Sequence, residues 1–378
     1  MNESWWVDPS QLDADQKAIL TATADMSLLI IGPPGSGKTN ILMLRANYVR
    51  PIGPRQVLLT FTRSLAEHLR SGPNVGRADQ IQKEDISTFI SWARALIKNL
   101  GGVIPKETDR FEEDRRAIIE ALTNLIDEQR VSELYDVIFV DEVQDFWESE
   151  LRIVRRLAKR VNFAGDARQR IWDCREGLKT AAAMAEETME LKLHYRIGEK
   201  ICEYADQILP PRIDQVPLLE GCNYPERLRP SSVEAVRCAD EADMIEQCIE
   251  KVKEQLRYIT EEPIGVIASF NNVLDKYMEA TDDDRILSDI TVRQKPGEYN
   301  AYNDRSRVRV MTVHSAKGSE FRAVHVLAGE AFKETNRELA FTAVTRAKTE
   351  IFVYHITALR GHMVPAIGHL TTDLSTIF

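Results

Sequence analysis

The stretch LLIIGPPGSGKT, residues 28–39, decides the fold of the first half of the chain. Four apolar residues precede a glycine-rich segment of the form GxxxxGK[ST], and a run with helical periodicity begins at Asn40. An apolar strand, a glycine-rich loop and a helix in this order are the context that a phosphate-binding P-loop requires. The sequence therefore predicts a nucleotide site at residues 32–39.

The loop is expected to hold the phosphates of ATP through its backbone. Glycines let the N–H groups turn inward, and the first turn of the following helix adds positive partial charge. Lys38 is expected to reach the β- and γ-phosphates, and the Thr39 hydroxyl is expected to bind Mg²⁺. The predicted nucleotide contacts here are Gly32, Pro33, Pro34, Gly35, Ser36, Gly37, Lys38 and Thr39.

Two adjacent carboxylates follow another apolar run, in the sequence VIFVDE at residues 137–142. Asp141 is expected to bind Mg²⁺, and Glu142 to orient and deprotonate the attacking water. Acidic residues commonly end strands, so the pair indicates catalysis only because a P-loop precedes it. Together the two motifs predict ATP hydrolysis.

Short apolar runs alternate with helical periodicity along the whole chain. The runs are 28–31, 57–61, 137–140 and 161–164 in the first half, and 264–268, 308–313, 324–327 and 351–354 in the second, where a further strand is predicted near Leu191. No Asn-Gly or Asp-Gly pair occurs, so the strongest hairpin signal is missing. The pattern predicts two α/β domains with parallel sheets, residues 1–187 and 188–378.

Composition narrows the class of protein. The 378 residues carry a formal net charge of −10, so any nucleic-acid groove must be a local feature such as the basic clusters at 152–160 and 305–309. The apolar runs are shorter than a membrane helix, and the N-terminus has no export signal. Five cysteines without a CxxC pair argue against disulfides and against a zinc site, and we expect a cytoplasmic protein.

With DEVQD at residues 141–145, the chain resembles the superfamily 1 helicases of the UvrD/Rep/PcrA type. LDADQ at 12–16 is similar to the family's Q-motif, which implies that Gln16 lies against the adenine. AGDARQ at 164–169 is similar to its third motif and implies that Gln169 senses the γ-phosphate. LTFT at 59–62 and STF at 87–89 resemble its strand-end DNA motifs, and the implied contacts are Phe61, Thr62 and Thr88.

Three further motifs resemble the family's second domain: LHYR at 193–196, TVHSAKGSEF at 312–321 and AVTRA at 343–347. The resemblance implies that Tyr195 packs on the base, that Arg196 and Arg346 are arginine fingers, and that Gly318 and Glu320 lie near the nucleotide, with Glu320 at the ribose. It implies that Thr312 and His314 face the nucleic acid. Seven or more motifs occur in the family's order, from about residue 12 to 355.

The chain also departs from the family. Asn40 stands where the family has arginine, and His194 where it has the asparagine of NYR. Of two aromatics that stack on bases after the third motif, only Trp172 is present, so one platform worth about 1 to 3 kcal/mol per base is missing. Only residues 101–135 and 197–306 are available for the large accessory insertions, so the chain resembles a minimal motor core.

The resemblance implies two RecA-like P-loop NTPase domains in tandem, with ATP and Mg²⁺ in the cleft between them. The implied function is an ATP-dependent translocase or helicase on single-stranded DNA, moving 3′ to 5′, with RNA not excluded as a ligand. The alternative is a DNA-responsive ATPase subunit that regulates a separate effector, such as a nuclease, in a repair or defence complex. The minimal core and the acidic charge favour this alternative.

Overall fold

The computed structural model describes residues 7–108, 110–171, 176–213, 215–295 and 305–365. The chain forms two compact units, residues 1–193 and 194–378. Each unit contains one six-stranded sheet covered by helices, and every strand pair in both sheets is parallel. The predicted α/β class, with two RecA-like domains, is confirmed.

The sheet of the first unit has the strand order β3-β2-β4-β5-β1-β6. Its strands are β1 (Leu28–Ile31), β2 (Gln56–Thr60), β3 (Ile86–Thr88), β4 (Tyr135–Val140), β5 (Ala158–Gly165) and β6 (Glu187–Glu190). Its helices are α1 (Ala14–Thr21), α2 (Lys38–Val49), α3 (Arg63–Arg70), α4 (Phe89–Asn99), α5 (Phe111–Glu128), α6 (Glu148–Leu157) and α7 (Gly177–Met184).

The sheet of the second unit has the order β7-β12-β11-β8-β10-β9. Its strands are β7 (Ser232–Arg237), β8 (Ile264–Ala268), β9 (Thr291–Gln294), β10 (Val308–Thr312), β11 (Phe321–Leu327) and β12 (Ala347–His355). Its helices are α8 (Glu199–Ile208), α9 (Glu241–Gln255), α10 (Asn271–Asp282), α11 (Val313–Ala316) and α12 (Arg337–Val344).

Apolar runs predict the inner strands because those strands are buried on both faces. In β2, Leu58 and Leu59 point to opposite faces of the sheet and enter two different hydrophobic clusters, as do Ile138 and Phe139 in β4. Helices therefore cover both sides of the sheet, and the strands need no polar residues facing solvent.

The four strands that no apolar run marks are the edge strands β3, β6, β7 and β9. β7 has exposed or half-buried residues along its whole length, and β6 has the same pattern. β6 also accounts for the position of the unit boundary, six residues after the predicted one at 187/188. It pairs with β1 and keeps residues 187–190 in the first sheet.

The carboxyl ends of the parallel strands bring the motifs of the first unit to one edge of its sheet. The P-loop follows β1, Asp141 follows β4, the third motif follows β5, and Phe61 follows β2. β5 separates the P-loop strand from β4. Ligand sites of open α/β sheets form at this edge. Within the described residues, no helix has both the length and the apolar character to cross a membrane.

Candidate active site

The P-loop is a tight turn that leads from β1 into α2. Gly35 and Gly37 have φ angles of 79° and 83°, in the left-handed region that favours glycine, and α2 begins at Lys38. A Cβ on Gly32 would lie 2.9 Å from both the Leu191 Cβ and the Ser36 Oγ, so the loop has no room for a larger residue there. Pro34 is buried like Ser36, while Pro33 is half-buried. The loop is built for close approach of its backbone to a ligand.

Lys38 lies over the start of the loop. Its Nζ donates to the carbonyl oxygens of Gly32, at 2.9 Å, and Pro33, at 2.8 Å. Both acceptors are neutral carbonyl oxygens. The charged oxygens of a phosphate can take their place and form stronger hydrogen bonds with the amine. The structure thus places the predicted phosphate-binding amine at the loop.

Gln16 connects α1 to the P-loop. It forms a capping box with Asp13 at the start of α1, and its Nε2 donates to the Ser36 carbonyl oxygen at 3.0 Å. The side chain is buried against the loop, next to Gly37. This position fits the predicted role of Gln16 near the nucleotide, and its contact with adenine stays a prediction.

Arg45 is a buried residue of this site that the sequence analysis did not identify. From α2, its guanidinium donates to the carbonyl oxygens of Ile19, Ala22 and Thr23 at the end of α1, and to Asn162 Oδ1. Those carbonyls have no partner within the helix, and Arg45 satisfies them. Burial lowers the pKa of Arg45 to about 10. The sequence feature that could have identified Arg45 is the position of this arginine within the run ILMLRANYV.

Asp141 and Thr39 form a site that fits Mg²⁺. Asp141 is only 1% exposed, and the Thr39 side chain is hydrogen-bonded to it. Its Oδ1 accepts from the Glu142 N–H at 2.9 Å, whereas its buried Oδ2 has no partner within the described structure. Burial, and next the charge of Glu142, raise the pKa of Asp141 to about 7. A hard cation with oxygen ligands would satisfy this oxygen.

Glu142 has an unusual backbone. Its φ is 54°, in a region that costs a non-glycine residue about 1 to 3 kcal/mol. Its carboxylate accepts from Nε2 of Gln144, a buried side chain that the sequence analysis did not single out. The strained backbone and the buried amide fix the position of the predicted general base.

Gln144 also joins this carboxylate to the third motif. Its Oε1 accepts from the Asp166 N–H at 3.0 Å, and Asp166 Oδ2 accepts from Gln169 Nε2 at 3.0 Å. A Cβ on Gly165 would lie 2.8 Å from Gln144 Oε1, so glycine permits the contact. The predicted base and the predicted γ-phosphate sensor therefore share one chain of hydrogen bonds. The signal in the sequence was the glutamine within DEVQD.

In the second unit, both predicted arginine fingers contact the same turn, at residues 318–320. Arg196 forms an ion pair with Glu320. The guanidinium of Arg346 is buried and donates to the carbonyl oxygens of Thr342, at 3.1 Å, and Ser319, at 3.5 Å. Gly318, with φ 81°, opens this turn, and the half-buried Tyr195 adjoins Arg196. The second unit thus brings together the residues that the resemblance assigns to the nucleotide.

Three of the predicted nucleic-acid contacts cap helices. The hydroxyls of Thr62, Thr88 and Thr312 accept from backbone N–H groups at the starts of α3, α4 and α11, at 3.2 to 3.3 Å. Thr88 and Thr312 end strands, and Thr62 lies two residues after the end of β2. Each hydroxyl keeps hydrogen-bonding capacity beyond the cap, and the predicted contacts with nucleic acid stay predictions.

Of the remaining predicted contacts, Phe61 packs inward. Its half-buried ring has its centroid 6.1 Å from that of Phe146, and the Arg115 guanidinium lies 4.8 Å from the Phe61 centroid. His314 is half-buried in α11. Trp172 lies outside the described residues.

The chain is similar to two protein families. An AAA domain family matches residues 15–175, and the family of UvrD-like helicase C-terminal domains matches residues 307–354. Among solved structures, the C-terminal domain of a possible DNA helicase from Lactobacillus plantarum WCFS1 matches with 17% identity and a TM-score of 0.34, over 46% of this chain and 94% of that one. No curated protein matches the chain.

Proposed function

We propose that this chain, which belongs to the UvrD-like helicases, is an ATP-dependent translocase or helicase on single-stranded DNA that moves 3′ to 5′. Helicases of this family hydrolyse ATP and act on DNA. The direction of movement rests on the resemblance of the motifs alone. The observation that carries the proposal is the site around Asp141, where a buried carboxylate oxygen with no partner among the described residues adjoins a P-loop and the predicted general base.

The residues of the first unit have separate tasks in hydrolysis. Lys38 exchanges the carbonyls of its own loop for phosphate oxygens, and Thr39 and Asp141 hold the metal ion. When bound, Mg²⁺ neutralises charge that develops on the phosphates. Glu142 accepts a proton from the attacking water, and Gln144 keeps its carboxylate in position.

We assign the final stabilisation of charge to Arg196 and Arg346. Arg196 is paired with Glu320, and a phosphate that binds Arg196 would compete with that carboxylate for the guanidinium. The exchange makes the state of the second unit depend on ATP, and hydrolysis reverses it. Movement along a DNA strand would follow from repeated exchange.

A second candidate function has its own support. The ring of Phe61 packs against Phe146, and the net charge of the whole chain is −10. These features favour a DNA-responsive ATPase that regulates a separate effector such as a nuclease.

A translocation assay on single-stranded DNA separates the two candidates. We expect the isolated chain to bind single strands with an affinity that falls with salt, by a log-log slope of about −0.7 per phosphate contact, and to unwind duplexes poorly. Directional movement on a single strand, measured from the displacement of an end-bound probe, supports the translocase. Single-strand-stimulated ATPase without movement supports the effector-regulating ATPase.

A further inference from the structure

A cluster of metal-binding side chains lies in the second unit, outside the residues assigned to ATP. It consists of His194, Cys202 and Cys222, and one imidazole nitrogen and the two sulfur atoms all lie within 4.8 Å of one another. His194 and Cys202 are fully buried, and Cys222 is half-buried. The absence of a CxxC pair predicts that the chain has no zinc site, but the fold brings these three side chains together without that spacing.

Three separate segments build the cluster. Cys202 lies on α8, whereas His194 and Cys222 face each other in an isolated bridge between two extended segments. The bridge has two backbone hydrogen bonds, from the His194 N–H to Gly221 at 2.9 Å and from Asn223 to the His194 carbonyl at 2.8 Å. Two of the three side chains are thus fixed by the backbone, and α8 positions the third.

The spacing of these atoms suits a tetrahedral metal ion. With Zn–S and Zn–N bonds of about 2.3 and 2.1 Å, sulfur and nitrogen ligands lie about 3.6 Å apart. Cys202 Sγ is 3.7 Å from His194 Nε2. Thiolate and imidazole ligands favour Zn²⁺ over the Mg²⁺ of the ATP site, which prefers oxygen.

In the metal-free cluster, the three side chains form hydrogen bonds with main-chain carbonyl oxygens. Both thiols donate to the Ile197 carbonyl oxygen, at 3.5 Å from Cys202 and 3.3 Å from Cys222, and His194 Nε2 lies 2.8 Å from the Leu218 carbonyl oxygen. A metal ion would replace the protons of the three groups, so binding strengthens as the pH rises.

We propose that His194, Cys202 and Cys222 bind one Zn²⁺ ion, with water in the fourth position. Water and metal enter beside the half-buried Cys222. His194 directly precedes Tyr195 and Arg196, so the ion fixes the chain segment that carries the arginine paired with Glu320. The histidine at the position of the family's asparagine is therefore a metal ligand.

The test is zinc content of the full-length protein after incubation with ZnCl₂ and gel filtration, measured by inductively coupled plasma mass spectrometry. We expect one zinc per chain in the unaltered protein, and none in Cys222→Ala or His194→Asn. Cys238→Ala is the matched control, because Cys238 is a buried cysteine of the same unit outside the cluster, and it should retain the zinc.

Absorption of the Co²⁺-loaded protein gives a second measurement that does not depend on activity or on folding of the variants. Tetrahedral thiolate coordination produces intense visible bands and a sulfur-to-metal charge-transfer band. Their presence in the unaltered protein and their displacement by Zn²⁺ support the site. An unaltered protein that retains no zinc, equal zinc in Cys222→Ala, or a Cys202–Cys222 disulfide in place of metal would overturn the proposal.

Discussion

The phosphate site of the first unit and the arginine cluster of the second unit differ in how their charged side chains are paired. Asp141 has a buried carboxylate oxygen without a partner within the described structure, and its pKa is raised. Arg196, by contrast, is neutralised by Glu320. The first unit thus has an unpaired buried oxygen that a cation would satisfy, whereas the charge of the second unit is already paired. We infer that the first unit supplies nucleotide binding and the general base, and that the arginines of the second unit add to turnover.

The largest effect is expected from removing the arginines. Arg196→Ala and Arg346→Ala should each lower kcat by about 10³- to 10⁵-fold, because arginine fingers stabilise charge in the transition state. Equilibrium ATP binding should change little. Arg285→Ala, an exposed arginine of the same unit, is the control. Near-normal hydrolysis in both variants would show that the second unit does not contribute to turnover.

The next effect concerns the general base. Glu142→Gln should lower kcat by about 10²- to 10⁴-fold and leave ATP affinity intact, because only proton transfer is lost. Lys38→Ala should weaken both binding and hydrolysis. Nucleotide binding and steady-state turnover are measured separately, with the exposed Glu128→Gln as the control. Unchanged turnover in Glu142→Gln would remove Glu142 from the mechanism.

Without metal, the stability of the first unit should depend on pH through Asp141. The pKa of Asp141 in the folded protein is about 7, above its ordinary value of 3.8, so its protonated form stabilises the fold. This contribution is complete below about pH 4 and is lost as the pH rises through about 7. Denaturant unfolding without Mg²⁺ should therefore show wild type losing stability relative to Asp141→Asn over this range. Parallel profiles would contradict the burial of an ionisable Asp141.

The smallest effect is expected from releasing Arg196. Glu320→Gln removes the partner charge but keeps the arginine, so kcat should stay within about tenfold of wild type, since a partly exposed ion pair contributes on the order of 1 kcal/mol or less. The KM for ATP should rise if Glu320 also contacts the ribose. A loss of kcat equal to that of Arg196→Ala would mean that the intact pair acts in catalysis.

The sequence predicts the parts of the molecule that local patterns determine. The apolar run at 28–31 and the glycines after it specify β1 and the P-loop, because both faces of that strand are buried and the turn requires glycine. No apolar run predicts the edge strands β6 and β7, since their exposed faces carry polar residues. The central strands of a parallel sheet are thus easier to predict than its edge strands.

Contacts between distant residues account for the rest of the site. The motifs name Glu142 and Gln169, but the link through Gln144 and Asp166 depends on how close β4 and β5 bring their loops. Likewise, the ion pair of Arg196 with Glu320 joins two motifs that are read independently in the sequence. Residue types predict chemical roles, and only the fold shows which residues hold one another in place.

The role of Arg196 and of Mg²⁺ in hydrolysis is best measured as steady-state ATP turnover by the purified chain, with and without single-stranded DNA. Double-stranded DNA and RNA serve as comparison ligands, and Glu142→Gln sets the background. We expect Mg²⁺-dependent hydrolysis that single-stranded DNA stimulates and that Arg196→Ala abolishes. Hydrolysis that persists unchanged in Arg196→Ala, or no Mg²⁺-dependent hydrolysis under any of these conditions, would contradict this expectation.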